Sequence, residues 1–186
     1  MSSAQNKIFS FVIETLEKLD IPYMIGGSVA AIAYGEPRLT LDMDVVVDIS
    51  SDQAQKLTKS FGPEYYVNLE SILEAIINKG SFNIIQSEEG VKVDFYILGD
   101  DAFSREEFKR KREQGFDESR QAVFVSPEDI ILKKLQWYKM GESNKHLEDI
   151  KGVLKISASK LDFGYIEKWA KALEVLDIWS KLRATN

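Results

Sequence analysis

The sequence contains no cysteine and only one histidine, His146, among its 186 residues. Without cysteine the chain can form no disulfide, no thiolate metal site and no cysteine nucleophile. A single histidine excludes zinc sites built from several histidines of one chain, and it disfavours a serine–histidine catalytic triad. These absences leave carboxylates, hydroxyls and basic side chains as the groups that could carry chemistry.

Long apolar runs are also missing. No segment approaches the ~20 apolar residues that a helix needs to cross a bilayer. The first twenty residues, "MSSAQNKIFSFVIETLEKLD", lack the charged start, apolar block and cleavage site of a secretion signal, and their apolar residues are spaced as in a helix. With 44% hydrophobic and 29% charged residues, the composition is typical of a soluble globular protein. We therefore expect a cytoplasmic protein that does not bind a membrane.

Positive charge is scarce as well, since the formal net charge is −6. The chain as a whole will not be drawn to nucleic acid by its charge. One basic segment, "SREEFKRKREQGF", concentrates arginines and lysines between interleaved glutamates. It predicts a solvated helix with i,i+4 pairs such as Glu107–Lys111. A basic helix over 105–112 would nevertheless suit an acidic acceptor such as RNA.

Periodicity predicts a helix over residues 4–19, a short strand "YMI", and a small-residue helix that starts near Ser28. "DMDVVVDI" follows as a strand, and its three consecutive valines predict burial on both faces. "FNIIQS" and "VKVDFYIL", joined by "EEG", predict a hairpin. The fold class is therefore α+β, with a mixed, partly antiparallel sheet flanked by helices.

The last third of the chain shows only helical patterns. Ser126 is a predicted helix cap, Pro127 suits the first helical position and Asp129 completes the capping box. The segments that follow are amphipathic and helical. We expect a core over residues 1–125 and a helical C-terminal subdomain over residues 126–186.

Three aspartates stand out on the predicted strands. Asp42 and Asp44 project to the same side of their strand because side chains alternate. Two carboxylates on one face repel each other. This repulsion is offset either by solvent, as at many strand ends, or by a cation such as Mg²⁺. Asp94, in "VKVDFYIL", is an acid in the middle of an apolar strand. If the two strands are neighbours, the three carboxylates converge and can hold two metal ions about 3.5–4 Å apart.

A glycine turn precedes these acids. Gly26-Gly27-Ser28 lies where a strand gives way to a helix, and thirteen residues, 29–41, separate it from Asp42. Glycine allows close approach of a ligand to the backbone, and a helix N-terminus favours an anion such as phosphate. A Gly-Gly turn alone also occurs in many proteins without a ligand. Arg38, just before the acids, could meet a triphosphate or neutralise Asp42 and Asp44.

The combination resembles the nucleotidyltransferase superfamily of the DNA-polymerase-beta type. The resemblance is carried by Gly26-Gly27-Ser28, by Asp42 and Asp44, and by Asp94, and it covers roughly residues 8–155. "YGEPRLTLDMDVVV", "SPEDIILKKL" and "HLEDIKGVL" are similar to the small members, which include abortive-infection toxins and minimal nucleotidyltransferases of toxin–antitoxin systems. Those toxin-like members often carry an arginine shortly before the last segment, where this chain has Lys145.

The resemblance implies roles for these residues. Asp42 and Asp44 would bind Mg²⁺, or Mn²⁺, together with the triphosphate, and Asp94 would be a third metal ligand or the base that activates a hydroxyl. Gly26, Gly27 and Ser28 would hold phosphates. The site would also use Lys133, or its neighbour Lys134, and Asp149. Judged from its own segment alone, Lys133 reads as a surface helix lysine.

The implied activity is Mg²⁺-dependent transfer of NMP from an NTP to an acceptor hydroxyl. The acceptor could be an RNA end, a partner protein or a small molecule such as an antibiotic, and a partner toxin or antitoxin protein is a further expectation. The alternatives are a non-catalytic antitoxin or regulatory module with the same fold, and a nucleotide sensor without turnover. Retention of all three acids favours an enzyme.

Overall fold

The computed structural model of the protein describes residues 3–117, 120–141 and 143–184. The strands are β1 Tyr23–Ile25, β2 Asp42–Val47, β3 Tyr65–Tyr66, β4 Ser81–Gln86, β5 Val91–Ile97, β6 Arg112–Gly115 and β7 Gln121–Phe124. The α-helices are α1 Ser3–Lys18, α2 Gly27–Tyr34, α3 Ser51–Lys59, α4 Leu69–Asn78, α5 Ala102–Lys109, α6 Pro127–Gly141, α7 Asn144–Ser157, α8 Phe163–Ala172 and α9 Leu176–Ala184, with a 3₁₀ turn at Ala158–Lys160.

The strands form one mixed sheet in the order β3-β4-β5-β2-β1-β7-β6. β4 and β5 are the predicted antiparallel hairpin, and β2 lies parallel to β5 and antiparallel to β1. The predicted α+β class with a partly antiparallel sheet is confirmed. The order places β2 in the middle of the sheet, between β5 and β1.

β2 is buried on one face only, so the prediction from its three valines is wrong. Met43, Val45 and Val47 are fully buried, whereas Asp42 is exposed and Val46 is half-buried. The valine run reflects a single buried face whose alternation is masked by a valine on the opposite side. The opposite face, which carries Asp42 and Asp44, is not buried in the core.

α1 packs on the sheet through an apolar stripe. Ile8, Val12 and Leu16, three of the predicted positions, are buried, and Phe9 and Ile13 complete the stripe with no exposed surface. Full burial of each such side chain stabilises the fold by roughly 1.5–3 kcal/mol. This helix therefore contributes to the core that buries the side of β2 opposite the acids.

The described residues after 126 form helices without strands, as predicted, and α6 and α7 pack onto α2. The Ser157 hydroxyl donates to the carbonyl of Tyr34 at 2.6 Å. A Cβ at Gly35 would lie 2.8 Å from the backbone of Gly152 and Val153, so glycine is needed for this close approach. α7 is thereby fixed beside the helix that begins at the glycine turn. The boundary between residues 125 and 126 remains a prediction.

The predicted basic helix over 105–112 is right as far as Lys109 and wrong beyond it. α5 ends at Lys109, and Arg112 already belongs to β6, which pairs with β7. The expected Glu107–Lys111 pair does not form, because Glu107 is buried and instead lies 3.3 Å from Lys133 Nζ. The strand ladder with β7 and the buried carboxylates at the start of α6 together override the local helical pattern.

In the described part of the chain, none of the helices is both long enough and apolar enough to cross a membrane.

Candidate active site

The glycine turn rests directly on one of the acids. Gly27 begins α2 with a φ of +59°, and the Gly26 amide donates to the Asp44 carbonyl at 2.9 Å. A Cβ at Gly27 would lie 1.7 Å from Asp44 Oδ2. Only glycine provides both this backbone conformation and the space for the carboxylate. The turn and the acid strand therefore form one unit.

The strand register brings Asp44 and Asp94 side by side. β2 and β5 are parallel neighbours in which Asp44 lies opposite Asp94 and Asp42 lies opposite Lys92. The three aspartates share the face of the sheet that the core leaves open. The strands that carry the three aspartates are thus neighbours, as their convergence requires, while the metal-binding role of the three residues remains a prediction.

Asp44 carries unbalanced negative charge. Burial raises the pKa of its carboxyl, and the charges of Asp94 and Asp42 raise it further. The charge of Lys134 and a hydrogen bond from the Ser28 backbone amide oppose this rise in the Asp44 pKa. A cation beside Asp44 would relieve the repulsion, and carboxylate oxygens are the donors that Mg²⁺ prefers.

Asp94 is already paired with a cation from its own strand. Lys92 Nζ lies 2.8 Å from Asp94 Oδ2. This hydrogen bond raises the pKa of Lys92, with burial opposing the rise and the charges of Asp94 and Asp42 adding to it. Within residues 3–117, 120–141 and 143–184, no three carboxylate or imidazole side chains are gathered closely enough to hold a metal ion.

Arg38 does not contact Asp42 or Asp44. Its Nε and Nη2 donate to the two oxygens of Asp149 at 2.7 and 3.0 Å, and Nη2 also donates to Ser28 Oγ at 2.6 Å. Asp149 also accepts from Lys134 at 2.7 Å. Burial opposes ionisation of Asp149, but the hydrogen bonds from Arg38 and Lys134 prevail and lower its pKa. Asp149 therefore binds two cationic side chains, those of Arg38 and Lys134, next to Ser28.

Lys133 belongs to a different cluster from the one that Asp149 forms. It pairs with Glu107, a residue of α5 that is only 3% exposed. Burial, opposed by the charge of Lys133, raises the pKa of Glu107 to about 7. Of the two adjacent lysines, it is Lys134 that meets Asp149.

A cavity of about 390 Å³ connects the acid face to this second pair. Its walls include Gly26, Gly27 and Asp44 on one side and Glu107, Lys133 and Trp137 on the other. A space of this volume accommodates a small molecule or one part of a nucleotide. Asp44 is the predicted metal ligand that this cavity reaches.

Three charged residues of the site, Lys134, Lys92 and Glu107, were not singled out by the sequence patterns. Lys134 carried a usable signal, because it falls on the same helical face as the buried Ile130, Ile131 and Leu135, where a lysine needs a buried partner. Lys92 shares a strand face with Asp94, which the period of two already indicates. Glu107 carried no signal, since it sits in a run of charged residues.

No protein-family model matches the sequence, and no curated protein does. Solved structures do match. A nucleotidyltransferase-like protein from Paracoccidioides brasiliensis is similar at 19% identity with a TM-score of 0.58, over 99% of this chain and 94% of its own. The antibiotic-resistance factor ANT(2'')-Ia in complex with adenylyl-2''-tobramycin is 16% identical with a TM-score of 0.56, over 92% of this chain and 98% of that one.

A third similar structure is the lincosamide antibiotic adenylyltransferase LnuA with bound lincomycin. It is 16% identical with a TM-score of 0.54, over 84% of this chain and 99% of that one. At these identities the likeness concerns the fold. The sheet order, the glycine turn on β2 and the matched structures together show that the chain has the fold of the nucleotidyltransferase superfamily.

Proposed function

We propose that the protein transfers NMP from an NTP to an acceptor hydroxyl in a Mg²⁺-dependent reaction. The observation that carries this proposal is the pairing of Asp44 with Asp94 beneath the Gly27 turn. This arrangement joins a candidate cation site to a helix N-terminus that favours phosphate. Nucleotidyl transfer needs both features at once. A reaction that consumes an NTP also fits the expected cytoplasmic location.

The residues present fit a divalent cation. Asp42 is exposed, Asp44 is half-buried with a raised pKa, and both offer oxygen ligands from one strand face. Bound Mg²⁺, or Mn²⁺, would neutralise charge on the triphosphate and on the leaving group. Asp42 and Asp44 would hold it.

The start of α2 would hold the phosphates. The first amides of a helix are free to donate and lie at the positive end of its dipole. Arg38 lies against Ser28 at this point, and Asp149 keeps its guanidinium in place. A triphosphate seated here would accept hydrogen bonds from the turn and from Arg38. Lys133 would meet the part of the nucleotide or acceptor that enters the cavity.

Asp94 is suited to receive a proton. In the proposed step the acceptor oxygen forms a bond to the α-phosphorus, and the bond between the α-phosphorus and the bridging oxygen to the β-phosphate breaks. Pyrophosphate leaves with that electron pair, and the hydroxyl proton moves to the Asp94 carboxylate. A positioned carboxylate contributes typically 10²–10⁴-fold to such a transfer.

A small molecule is the acceptor class that we favour. In the basic segment that suited RNA, Arg110 and Arg112 both pair with the buried Glu128, so much of the charge of these two arginines is neutralised within the protein. Two of the similar proteins, ANT(2'')-Ia and LnuA, are named for antibiotic resistance or antibiotic adenylyl transfer. Transfer to RNA or to a partner protein, as in toxin–antitoxin systems, is the competing outcome of the same test.

A labelling experiment distinguishes these functions. The protein is incubated with each α-³²P-labelled NTP, with and without Mg²⁺, and with an aminoglycoside and lincosamide panel, total tRNA or cell lysate. We compare Asp44→Asn with Asp48→Asn, an exposed acid beyond the end of the same strand. The proposal expects a labelled small molecule that requires Mg²⁺, is lost in Asp44→Asn and persists in Asp48→Asn.

Other results have definite meanings. Label on tRNA or on a protein would keep nucleotidyl transfer and overturn the small-molecule acceptor. Label that survives Asp44→Asn would overturn the site assignment. Failure of the parent protein to bind any NTP with Mg²⁺ would overturn the enzyme and favour a non-catalytic antitoxin or regulatory module.

A further inference from the structure

We propose that the Lys92 ammonium takes one of the two cation positions offered by the three aspartates, so that the site binds a single divalent cation through Asp42 and Asp44. This inference rests on the proposed nucleotidyl transfer and refines its cation requirement. It replaces the two-ion expectation from the sequence with one ion and one fixed positive side chain. Asp94 is then left free of metal to serve the acceptor.

Lys92 contacts Asp94 and lies across the strand ladder from Asp42. It lies two residues before Asp94 on β5, on the same face, with its Nζ 2.8 Å from Asp94 Oδ2. Across the parallel ladder Lys92 stands directly opposite Asp42. Neighbouring strands lie about 4.8 Å apart, and the hydrogen bond to Asp94 raises the pKa of Lys92, as do the charges of Asp94 and Asp42. A second ion held by Asp94 would have to share that carboxylate with the Lys92 ammonium.

Charge counting agrees with one divalent cation. The three carboxylates carry three negative charges, and Lys92 offsets one of them because its ammonium is charged at neutral pH. The remaining charge equals that of a single divalent ion. A second ion about 3.5–4 Å from the first would face both that ion and the lysine ammonium. Two like charges at such distances disfavour the second ion while Lys92 stays in place.

The arrangement of ligands supports the same conclusion. Among the described residues no trio of carboxylates is gathered around one point, although Asp44 and Asp94 are direct neighbours in the ladder. The Asp94 carboxylate is held by Lys92, and the Lys92 side chain is 38% exposed, so it packs against the strand face without being part of the core. Its substitution can therefore change the cation count without unfolding the chain.

The test counts Mn²⁺ ions bound to the full chain without nucleotide, from the loss of the electron paramagnetic resonance signal of free Mn²⁺. The parent protein and Lys92→Arg are expected to bind one ion, since both keep the positive charge. Lys92→Gln, which has similar length but no charge, is expected to bind two. Adding Asp94→Asn to Lys92→Gln is expected to restore one ion, because the second ion needs the Asp94 carboxylate.

Each other outcome overturns the inference. Two ions in the parent protein would show that Lys92 does not exclude the second, while the proposed function would stand if labelling still required Mg²⁺. One ion in Lys92→Gln would show that the lysine is not what limits the count. Absence of bound Mn²⁺ from the parent protein, together with absence of Mg²⁺-dependent labelling, would overturn the proposed function as well.

Discussion

Arg38 and Asp149 lie 111 residues apart in the sequence and form a two-point ion pair, with Nε–Oδ1 at 2.7 Å and Nη2–Oδ2 at 3.0 Å. The pair joins the loop before the acid strand to helix α7 of the C-terminal part. Through Arg38 it reaches Ser28, and through Lys134 it reaches α6. The helical part of the chain is thereby tied to the candidate phosphate site.

Removing the charge of Asp149 should destabilise the protein. Asp149→Asn leaves Lys134, whose side chain is 4% exposed, without its counter-ion. Loss of one partner of a buried pair costs about 3 kcal/mol, the low end of the usual range, because Arg38 is partly solvated. The free energy of unfolding from urea titration measures this. Glu148→Gln on the same helix breaks the exposed pair with Lys151 and should cost under about 1 kcal/mol; equal losses would contradict the prediction.

Gly27 should not tolerate a side chain. Gly27→Ala places a Cβ 1.7 Å from Asp44 Oδ2 and also carries the strain of a φ of +59°. Gly90→Ala is the matched control, because Gly90 has a φ of +63° with nothing within 4 Å of its Cβ position. Positive-φ strain alone costs about 1–2 kcal/mol. We expect Gly27→Ala to lose more stability than Gly90→Ala and to abolish nucleotidyl transfer, which Gly90→Ala should retain. Retained activity in Gly27→Ala would show that the turn tolerates displacement from Asp44.

Arg110 should be structural and not a contact for RNA. It lies 3.0 Å from Glu128 and 3.3 Å from Asp129, whose side chains are 1% and 0% exposed, and its guanidinium stacks 3.7 Å above the Tyr165 ring. Arg110→Met removes the positive charge that these two carboxylates pair with, and it should lower the free energy of unfolding by about 3–5 kcal/mol. Arg105→Met, with its side chain 62% exposed, should cost under about 1 kcal/mol. Similar values for both variants would refute a buried role.

Glu107 should make stability depend on pH. Its pKa in the folded protein is about 7, compared with an ordinary value of 4.5. Between these values the folded protein binds more protons at this residue than the unfolded chain does, so stability falls as pH rises from about 4.5 to about 7. A shift of this size corresponds to an effect on the order of 3 kcal/mol.

Urea titrations at several pH values check this dependence. Glu107→Gln should remove the Glu107 contribution and so flatten the curve relative to the parent protein. Glu74→Gln, an exposed helical glutamate, should leave the curve unchanged. An unchanged slope in Glu107→Gln would mean that the carboxyl titrates normally in the folded state.

Local patterns predicted most elements because the signals were local. The stripe of α1, the β4–β5 hairpin and the Ser126 cap depend on residues only a few positions apart. Where a partner far away in the sequence determines the local structure, the prediction was wrong. The segment after Lys109 has the composition of a helix, but β7 offers it a strand partner, and α6 offers Arg110 buried carboxylates. No property of the segment alone carries that information.

The sequence by itself determined the fold class and the three acids. The alternation of side chains along a strand places Asp42 and Asp44 on one face, and the apolar pattern around Asp94 indicates a second strand. Only the tertiary structure decided how they are neutralised. The parallel register places Lys92 opposite Asp42 and Asp94 beside Asp44. The packing of α7 on α6 selects Lys134 for Asp149 and leaves Lys133 to Glu107. Pairings of charges depend on distances across the fold, which residue spacing along the chain does not specify.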